Sequence, residues 1–245
     1  MFKILIALFF LLPPLSYSSD VPQPRIDLIS ERLKAARADI PIVGFSRSEV
    51  PGFTHVQMQG GEVIAVSNDG KFLFAGPLYR ITDTGFKDVA DEKAAVVRAA
   101  YFKKNDPFKL GAIVFPADGE VKKQIFVFTD ITCGFCRKLH KETVPLLQAA
   151  GVEVHYLGFP REGLAGDAKS SLDTAFCSDD QQGALTSLKN NEEIEAKTCD
   201  SPVPSHYALA QEFGINSTPA IVMLDGTLIK GYMPADTMLQ SLGIK

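Results

Sequence analysis

The sequence predicts an α+β protein with two domains joined by a helix. An amphipathic helix and several short strands fill the first third of the chain. A helical segment follows, and the second half opens with a continuous apolar run, then a helix and another strand. The length of 245 residues fits one large domain or two modest ones, and we expect two.

Residues 1–18 have the organisation of a secretory signal peptide. Lys3 supplies a positive charge, residues 4–12 are an apolar run, and Ser16 and Ser18 place small residues before a cleavage site. The run is shorter than the about 20 residues that a membrane-spanning helix needs. We expect cleavage after Ser18 and an exported chain without a membrane anchor; the alternative is an uncleaved anchor.

The N-terminal domain, residues 19–86, is predicted to combine one helix with an antiparallel meander. Apolar residues recur every three or four positions over 25–38, which indicates an amphipathic helix. Short strands separated by glycine-rich turns follow at 54–59, 62–67, 71–75 and 78–82. A unit this small is marginal by itself and has strand edges that favour pairing with another copy.

A linker helix and an α/β domain make up the rest of the prediction. Residues 87–106 are rich in Ala, Lys and Glu and form the linker, which ends near Pro107. In the domain at 107–245, the apolar run at 122–130 is typical of a strand buried on both faces. A helix with a kink at Pro145 and a strand at 152–158 complete a parallel βαβ unit.

The remainder of this domain contains an insertion and a helix, two strands and a final helix. Residues 166–191 are polar and compatible with helices, which indicates the insertion. The elements expected after it are a helix at 206–213, strands at 220–224 and 227–232, and a terminal helix from Pro234.

The motif Cys133-Gly134-Phe135-Cys136 lies between the buried strand and the helix. A helix N-terminus presents unpaired N–H groups and a positive dipole, which stabilise a thiolate. We therefore expect Cys133 to be a nucleophile in thiol–disulfide exchange. Cys136, one turn further along, would attack the mixed disulfide and release a stalled substrate.

Half of a zinc site is the competing interpretation of this motif, because His140 follows one turn after Cys136. A structural zinc site needs a second close pair, whereas Cys177 and Cys199 are far apart. We expect no metal, and we expect His140 to be a surface residue. In an exported chain, Cys177 and Cys199 could instead close a separate loop.

Pro219 starts an apolar strand, where proline usually indicates a cis bond or a sheet edge. A trans proline that merely starts the strand is the alternative. The formal net charge of −4 gives the chain no basic excess for neutralising a phosphate backbone. Nucleic acid is therefore not an expected partner.

Taken together, these motifs resemble the DsbC type of bacterial periplasmic protein disulfide isomerase. The similarity covers nearly the whole mature chain and is strongest in FTDITCGFCRKLH (128–140), YLGFPREGL (156–164), HYAL (206–209), DGK (69–71) and GPLY (76–79).

This resemblance implies a V-shaped homodimer joined through the N-terminal domains, with two thioredoxin-like domains facing a shared cleft. It implies a cis Pro219 facing the cysteines, with Thr218 offering its backbone to an extended substrate beside Gly134 and Phe135. Cys177 and Cys199 match the structural disulfide of the family. The dithiol would act without any cofactor, on misfolded exported proteins in the periplasm, and a membrane reductase of the DsbD kind would keep it reduced.

Two positions depart from related patterns. Phe135 stands where the DsbC motif has tyrosine, and Val127 stands where thioredoxin has a buried acid. Asp130 is the nearest acid, and we expect it to be a turn residue rather than a proton acceptor. The group that deprotonates Cys136 is left open by the sequence.

Three other functions fit the same architecture: an oxidase, a DsbG-like reductase of oxidised cysteines, and a chaperone whose cleft holds unfolded chains. Motifs of the first two carry proline after the first cysteine, whereas this chain has Gly134. The chaperone activity is compatible with isomerisation, and Phe135 could serve both.

Overall fold

The computed structural model describes residues 20–59, 62–83 and 85–244 and divides the chain into two compact units between Pro77 and Leu78. The expected signal peptide and the turn at Gly60-Gly61 lie outside the described residues. Each unit has its own hydrophobic core.

The first unit packs one helix on a four-stranded antiparallel sheet of order β1-β2-β3-β4. Ile29 and Leu33 of the helix are buried against Val56, Ile64 and Val66 of the sheet, so the predicted amphipathic face makes the core. The elements are α1 (Gln23–Ala36), β1 (Ile42–Arg47), β2 (Phe53–Met58), β3 (Val63–Ser67) and β4 (Leu73–Ala75).

Strand β1 is not among the predicted strands, because Pro41 and Gly44 are typical of a loop. The register against β2 shifts between Ile42 and Gly44, so the glycine marks a bulge within a strand. The segment at 78–82 was expected to extend this meander. It instead forms β5 (Tyr79–Thr82), which pairs only with β6 (Gly85–Asp88) in a separate two-stranded sheet among the described residues.

The segment predicted to form a linker helix contains α2 (Val89–Lys104). Asp88 caps it, because its carboxylate accepts hydrogen bonds from the backbone N–H groups of Ala90 and Asp91. The helix belongs to the second unit, where Arg98 is fully buried and donates to the carbonyl oxygens of Gly226 and Phe213.

The second unit is built on a five-stranded sheet of order β11-β10-β8-β9-β7. Strands β8 and β9 are parallel and the other neighbours are antiparallel. The elements are β7 (Ile113–Phe115), β8 (Lys123–Thr129), α3 (Gly134–Lys138), α4 (Val144–Ala149), β9 (Val152–Gly158), α5 (Asp167–Phe176), α6 (Gln181–Lys189), α7 (Val203–Glu212), β10 (Ala220–Val222), β11 (Leu228–Lys230) and α8 (Ala235–Ser241), with a 3₁₀ turn at Pro107–Lys109.

The apolar run in β8 is buried on both faces, as the sequence predicts. Ile125 and Val127 join the core cluster on one face, whereas Phe126 and Phe128 join the cluster on the other. The βαβ unit of β8, helix and β9 is also present, so the expected α/β architecture is confirmed. Strand β7 was not predicted.

The helix after the cysteine motif is continuous but irregular. A π-helical turn at Leu139–Thr143 joins α3 to α4 just before Pro145. Proline has no N–H group and its ring crowds the preceding turn, so the widened turn accommodates it. The kink expected at Pro145 is therefore spread over the turn that precedes it.

Candidate active site

Cys133 and Cys136 lie at the N-terminus of α3, directly after β8 and a three-residue turn. Cys133 is the N-cap residue, and its Sγ accepts a hydrogen bond from the backbone N–H of Cys136 at 3.4 Å. Both are free thiols and both are buried, with 4% and 0% of their surfaces exposed. The first thiol is thus the more accessible of the two.

Thr218 and Pro219 lie beside these thiols, before β10. The peptide bond between them is cis, and the carbonyl oxygen of Thr218 is 3.4 Å from Sγ of Cys133. The side-chain oxygen of Thr218 is buried and has no hydrogen-bond partner within the described part of the chain. The two segments that the sequence predicts to form the site are brought together.

The surroundings shift the pKa values of the two thiols in opposite directions. A hydrogen bond from the Cys136 thiol, opposed by burial and helped by the nearby Arg161 charge, lowers the pKa of Cys133 to about 5. Burial, together with that same hydrogen bond, raises the pKa of Cys136 well above its ordinary value. At neutral pH, Cys133 is therefore the thiolate and Cys136 keeps its proton.

Asp130 organises the turn that precedes Cys133. Its buried carboxylate accepts hydrogen bonds from the backbone N–H and side chain of Thr132 and from the backbone N–H and Nε of Arg161. Burial would raise the pKa of Asp130, but these bonds hold it below its ordinary value. Asp130 therefore acts as a turn residue, as expected. Its charged carboxylate accepts all four of these hydrogen bonds.

Two arginines hold this turn from outside. Arg161 forms an ion pair with the Asp130 carboxylate at 3.0 Å. Arg137 donates to the carbonyl oxygens of Ile131 and Thr132 at 3.1 and 3.0 Å. Neither arginine was singled out from the sequence, although both fall inside segments that carry the family resemblance.

The dipeptide between the cysteines is exposed. Gly134 has open space where a Cβ would lie, and Phe135 is 62% exposed. The Phe135 ring stacks on Tyr232 with centroids 6.3 Å apart, and Lys138 Nζ lies 4.5 Å from the centre of the Tyr232 ring. Tyr232 extends the apolar surface beside Cys133. From the sequence, it was only the last residue of the strand predicted at 227–232.

His140 is buried, so its prediction as a surface residue was wrong. Its two ring nitrogens lie 3.0 Å from the hydroxyl groups of Tyr156 and Thr186. Burial and the charge of Lys189 lower its pKa to about 4, so the ring is neutral at physiological pH. The irregular helix turns this histidine toward the insertion helix α6, which the sequence pattern could not show.

Lys189, the last residue of α6, is a further site residue that the sequence did not indicate. Its side chain is buried, and Nζ donates to Thr129 Oγ1 at 2.7 Å, at the end of β8. A lysine in a polar segment normally lies on the surface. The segment predicted to be an insertion therefore places a cation at the end of β8, where Thr129 lies four residues before Cys133.

Cys177 and Cys199 are joined by a disulfide with Cα atoms 5.6 Å apart. It links the end of α5 to the segment before α7. Among the described residues, no cluster of three or more His, Cys, Asp or Glu side chains could hold a metal ion. The same residues include no helix with the length and apolarity to cross a membrane.

Two family models match the chain. A thioredoxin-like domain matches residues 115–243, and the N-terminal domain of disulfide bond isomerase proteins matches residues 18–91. The first match covers the cysteine motif, the cis proline and the insertion between them.

Curated relatives match over both domains. The thiol:disulfide interchange protein DsbC of Escherichia coli (strain K12) is 34% identical over 79% of this chain and 78% of its own length. The protein of the same name from Haemophilus influenzae is 36% identical over 77% of this chain and 78% of its own length.

Solved structures agree at the level of the fold. The thiol-disulfide exchange protein alpha-DsbA2 from Wolbachia pipientis superposes with a TM-score of 0.51 at 12% identity, over 64% of this chain and 98% of that protein. Its similarity supports the thioredoxin-like fold alone. With the two domain matches and the relatives above, the chain belongs to the DsbC family of thiol:disulfide interchange proteins.

Proposed function

We propose that this protein isomerises wrong disulfides in exported proteins while its own Cys133-Cys136 pair is reduced. One arrangement carries the proposal: Cys133 caps the helix, with its Sγ 3.4 Å from the backbone N–H of Cys136 and its pKa lowered to about 5, whereas the Cys136 thiol is fully buried. One thiol is therefore ready to attack and the other is held back. An isomerase needs this asymmetry, because early closure of Cys136 onto Cys133 would end the reaction as a simple reduction.

The reaction begins when the Cys133 thiolate attacks one sulfur of a substrate disulfide. A mixed disulfide forms and the other substrate sulfur leaves as a thiolate, which then attacks a different substrate disulfide or the mixed disulfide itself. When the correct bond forms, Cys133 departs as a thiolate and the protein is unchanged. If the substrate stalls, Cys136 attacks Cys133, the substrate is released reduced, and the protein is left with a Cys133-Cys136 disulfide.

Substrate binding is assigned to the groups around the sulfur. The carbonyl of Thr218, next to cis Pro219, would pair with an extended peptide, and exposed Phe135 with Tyr232 would offer an apolar surface beside it. Gly134 leaves space for the chain to approach. The exposed Phe135 also supports a second activity, in which unfolded chains are held without exchange.

The assembly and location are proposed from the family. The chain would be a periplasmic homodimer, with residues 1–18 removed, dimerisation through 19–86, a linker at 87–106, the catalytic domain at 107–245, and a DsbD-type membrane protein as reductant. Sedimentation of the mature protein tests the dimer: we expect twice the chain mass, and a monomer at micromolar concentration would contradict it.

Refolding of a scrambled multi-disulfide protein tests the function. The reduced protein should restore native activity to the scrambled substrate, whereas a matched amount of a small dithiol should mainly reduce it. If the protein reduces the substrate without raising the native yield, it is a reductase of the same fold.

A further inference from the structure

Tyr232, two residues after β11, is held against the helical segment that follows Cys133. Its ring stacks on that of Phe135 at an angle of 25°, with centroids 6.3 Å apart. Its hydroxyl donates to the Glu142 carboxylate at 3.3 Å, and Lys138 Nζ lies 4.5 Å from the centre of the ring. Lys138 and Glu142 also form an ion pair with each other at 3.9 Å. We call Phe135 and Tyr232 the aromatic pair.

The segment that carries Tyr232 is also attached to the loop before β10. Strands β10 and β11 are antiparallel neighbours, and the backbone N–H of Gly231 donates to the carbonyl oxygen of Pro219 at 2.8 Å. The pairing therefore continues beyond the ends of the two strands. The same register places Tyr232 opposite Thr218, whose carbonyl oxygen is 3.4 Å from Sγ of Cys133. The aromatic pair is thus continuous with the point at which a substrate would pair.

The aromatic pair is fixed by these contacts and is still open to solvent. Phe135 is 62% exposed and Tyr232 is partly exposed. Rings that are already held in position lose little conformational freedom when they bind another group. An aromatic side chain suits this surface best, because stacked and edge-to-face rings attract each other beyond the burial of their area.

An extended substrate places only alternate side chains on the side of its reacting cysteine. Successive side chains of a strand point to opposite faces, so the residues two positions before and after the cysteine share its face. The residues directly next to the cysteine point away. With the substrate sulfur at Cys133 and its backbone at the Thr218 carbonyl, a side chain two positions from the cysteine would be the one directed at the surface around the site.

We propose that the aromatic pair selects substrates with an aromatic side chain two residues from the reacting cysteine. The proposal rests on the proposed function, because it names the substrate class of the same exchange reaction. Phe135 and Tyr232 contact the substrate and take no part in the bond changes. Phenylalanine side chains are mostly buried in folded proteins, so an exposed ring near a disulfide is typical of a misfolded segment. The preference therefore directs Cys133 toward wrong disulfides rather than native ones.

Two peptides of identical composition test the preference in the reduced, full mature protein. Phe-Ser-Cys-Ser-Phe has both rings two positions from the cysteine, whereas Ser-Phe-Cys-Phe-Ser has both rings next to it. Each peptide is blocked at both ends and prepared as its mixed disulfide with thionitrobenzoate. The Cys133 thiolate attacks the peptide sulfur, because thionitrobenzoate is the better leaving group. The peptide becomes bonded to Cys133, and thionitrobenzoate leaves as a coloured thiolate that stopped-flow absorbance follows.

The ratio of the two second-order rates measures the preference. The wild type should react about 5- to 10-fold faster with Phe-Ser-Cys-Ser-Phe, within the range that one aromatic pair contributes. Tyr232→Ala should lower this ratio to below about two-fold, because one of the two rings is lost. Tyr232→Phe keeps the ring and should retain the wild-type ratio. Since both peptides react with the same thiol, a changed reactivity of Cys133 cancels in the ratio.

Phe108→Leu is the matched control. Phe108 is 51% exposed and packs against Phe126, which belongs to the core cluster on the sheet face opposite the cluster that contains Leu139 of the cysteine helix. Its replacement should leave the wild-type ratio. Phe135→Ala gives a second test at the site and should lower the ratio as Tyr232→Ala does, with native circular dichroism showing that each variant is folded.

Equal rates for the two peptides in the wild type would overturn the proposal and leave the proposed function standing. A wild-type ratio in both Tyr232→Ala and Phe135→Ala would do the same. If neither peptide releases thionitrobenzoate, Cys133 is not a nucleophile, and the proposed function is contradicted together with the preference.

Discussion

The carbonyl oxygen of Thr218 lies 3.4 Å from the sulfur of Cys133, although 85 residues separate them in the chain. The contact places a backbone acceptor beside the nucleophile, just before the first residue of β10. A substrate peptide that pairs with this carbonyl would bring its own sulfur to Cys133. We propose that the site positions the backbone and the disulfide of a substrate at the same time.

The first prediction concerns the pH dependence of Cys133. Because its pKa is lowered from 9.0 to about 5, its reaction with iodoacetamide should be nearly constant from pH 8 to pH 6 and should fall by half near pH 5. The measurement is the rate of mass labelling of reduced Cys136→Ser, which retains a hydrogen-bonding side chain at 136. A midpoint near 9 would show an ordinary thiol.

The same shift affects the stability of the reduced protein. When folding lowers the pKa of an acid, the folded state gains its full stabilisation above the pKa of the unfolded state. That stabilisation is lost as the pH falls through the pKa of the folded state. The stabilisation from Cys133 should therefore be complete above about pH 9 and disappear as the pH falls through about 5. Thermal unfolding of the reduced protein relative to the oxidised protein should show this slope.

The second prediction concerns Arg161, which holds the turn before Cys133. Arg161→Met removes an ion pair at 3.0 Å from the fully buried Asp130 carboxylate and a positive charge that lowers the pKa of Cys133. Since the Arg161 side chain is 43% exposed, we expect a moderate loss of about 1 to 2 kcal/mol in unfolding free energy and a higher alkylation midpoint. Urea unfolding and iodoacetamide labelling measure the two effects.

Arg37→Met is the matched control, because Arg37 pairs with Asp39 at the surface, where both side chains are more than two-thirds exposed. It should leave both the unfolding free energy and the alkylation midpoint unchanged within experimental error. Equal effects of the two substitutions would mean that Arg161 does not hold the turn.

The third prediction concerns the attachment of the linker helix. Arg98→Met leaves the buried carbonyl oxygens of Gly226 and Phe213 without their donor and the Asp91 carboxylate without its partner at 2.9 Å. We expect a loss of about 2 to 4 kcal/mol in unfolding free energy. Lys104→Met, at an exposed position on the same helix, should be nearly neutral by urea unfolding.

Hydrogen exchange gives a second readout of this attachment. Amide protection within α2 should fall in Arg98→Met while that of β8 is retained. Full protection of α2 in this variant would show that the helix is held by its apolar contacts alone.

Much of the fold could be predicted from local patterns of apolar and polar residues. The apolar run of β8 and the amphipathic face of α1 predict burial correctly, because the spacing of apolar residues shows which faces of a strand or helix are buried. Strand β1 was missed because its Pro41 and Gly44 indicate a loop, although the glycine serves a bulge. The strand at 78–82 was assigned to the N-terminal meander and β6 was not predicted, because nothing in the local pattern shows which neighbouring strand a segment pairs with.

The site was predictable where chemistry is local and not where it depends on packing. The cysteine pair is recognisable by its spacing and Pro219 by its position at the start of a strand. The resemblance to the DsbC family then implied that they face each other. Lys189 and Tyr232 reach the site through tertiary contacts from a polar insertion and a loop, and neither residue type indicates such a place. His140 was predicted to be exposed because nothing local shows that α6 covers it.

We propose that Cys133 attacks the substrate disulfide and that Cys136 releases a stalled substrate. Mass spectrometry of adducts formed by Cys136→Ala and by Cys133→Ala with a scrambled disulfide protein tests it most directly. We predict that Cys136→Ala accumulates a substrate mixed disulfide on Cys133 and that Cys133→Ala forms almost none, because Cys136 is fully buried and has a raised pKa. Adducts on Cys136 in comparable yield, or no adduct on Cys133, would contradict the assignment.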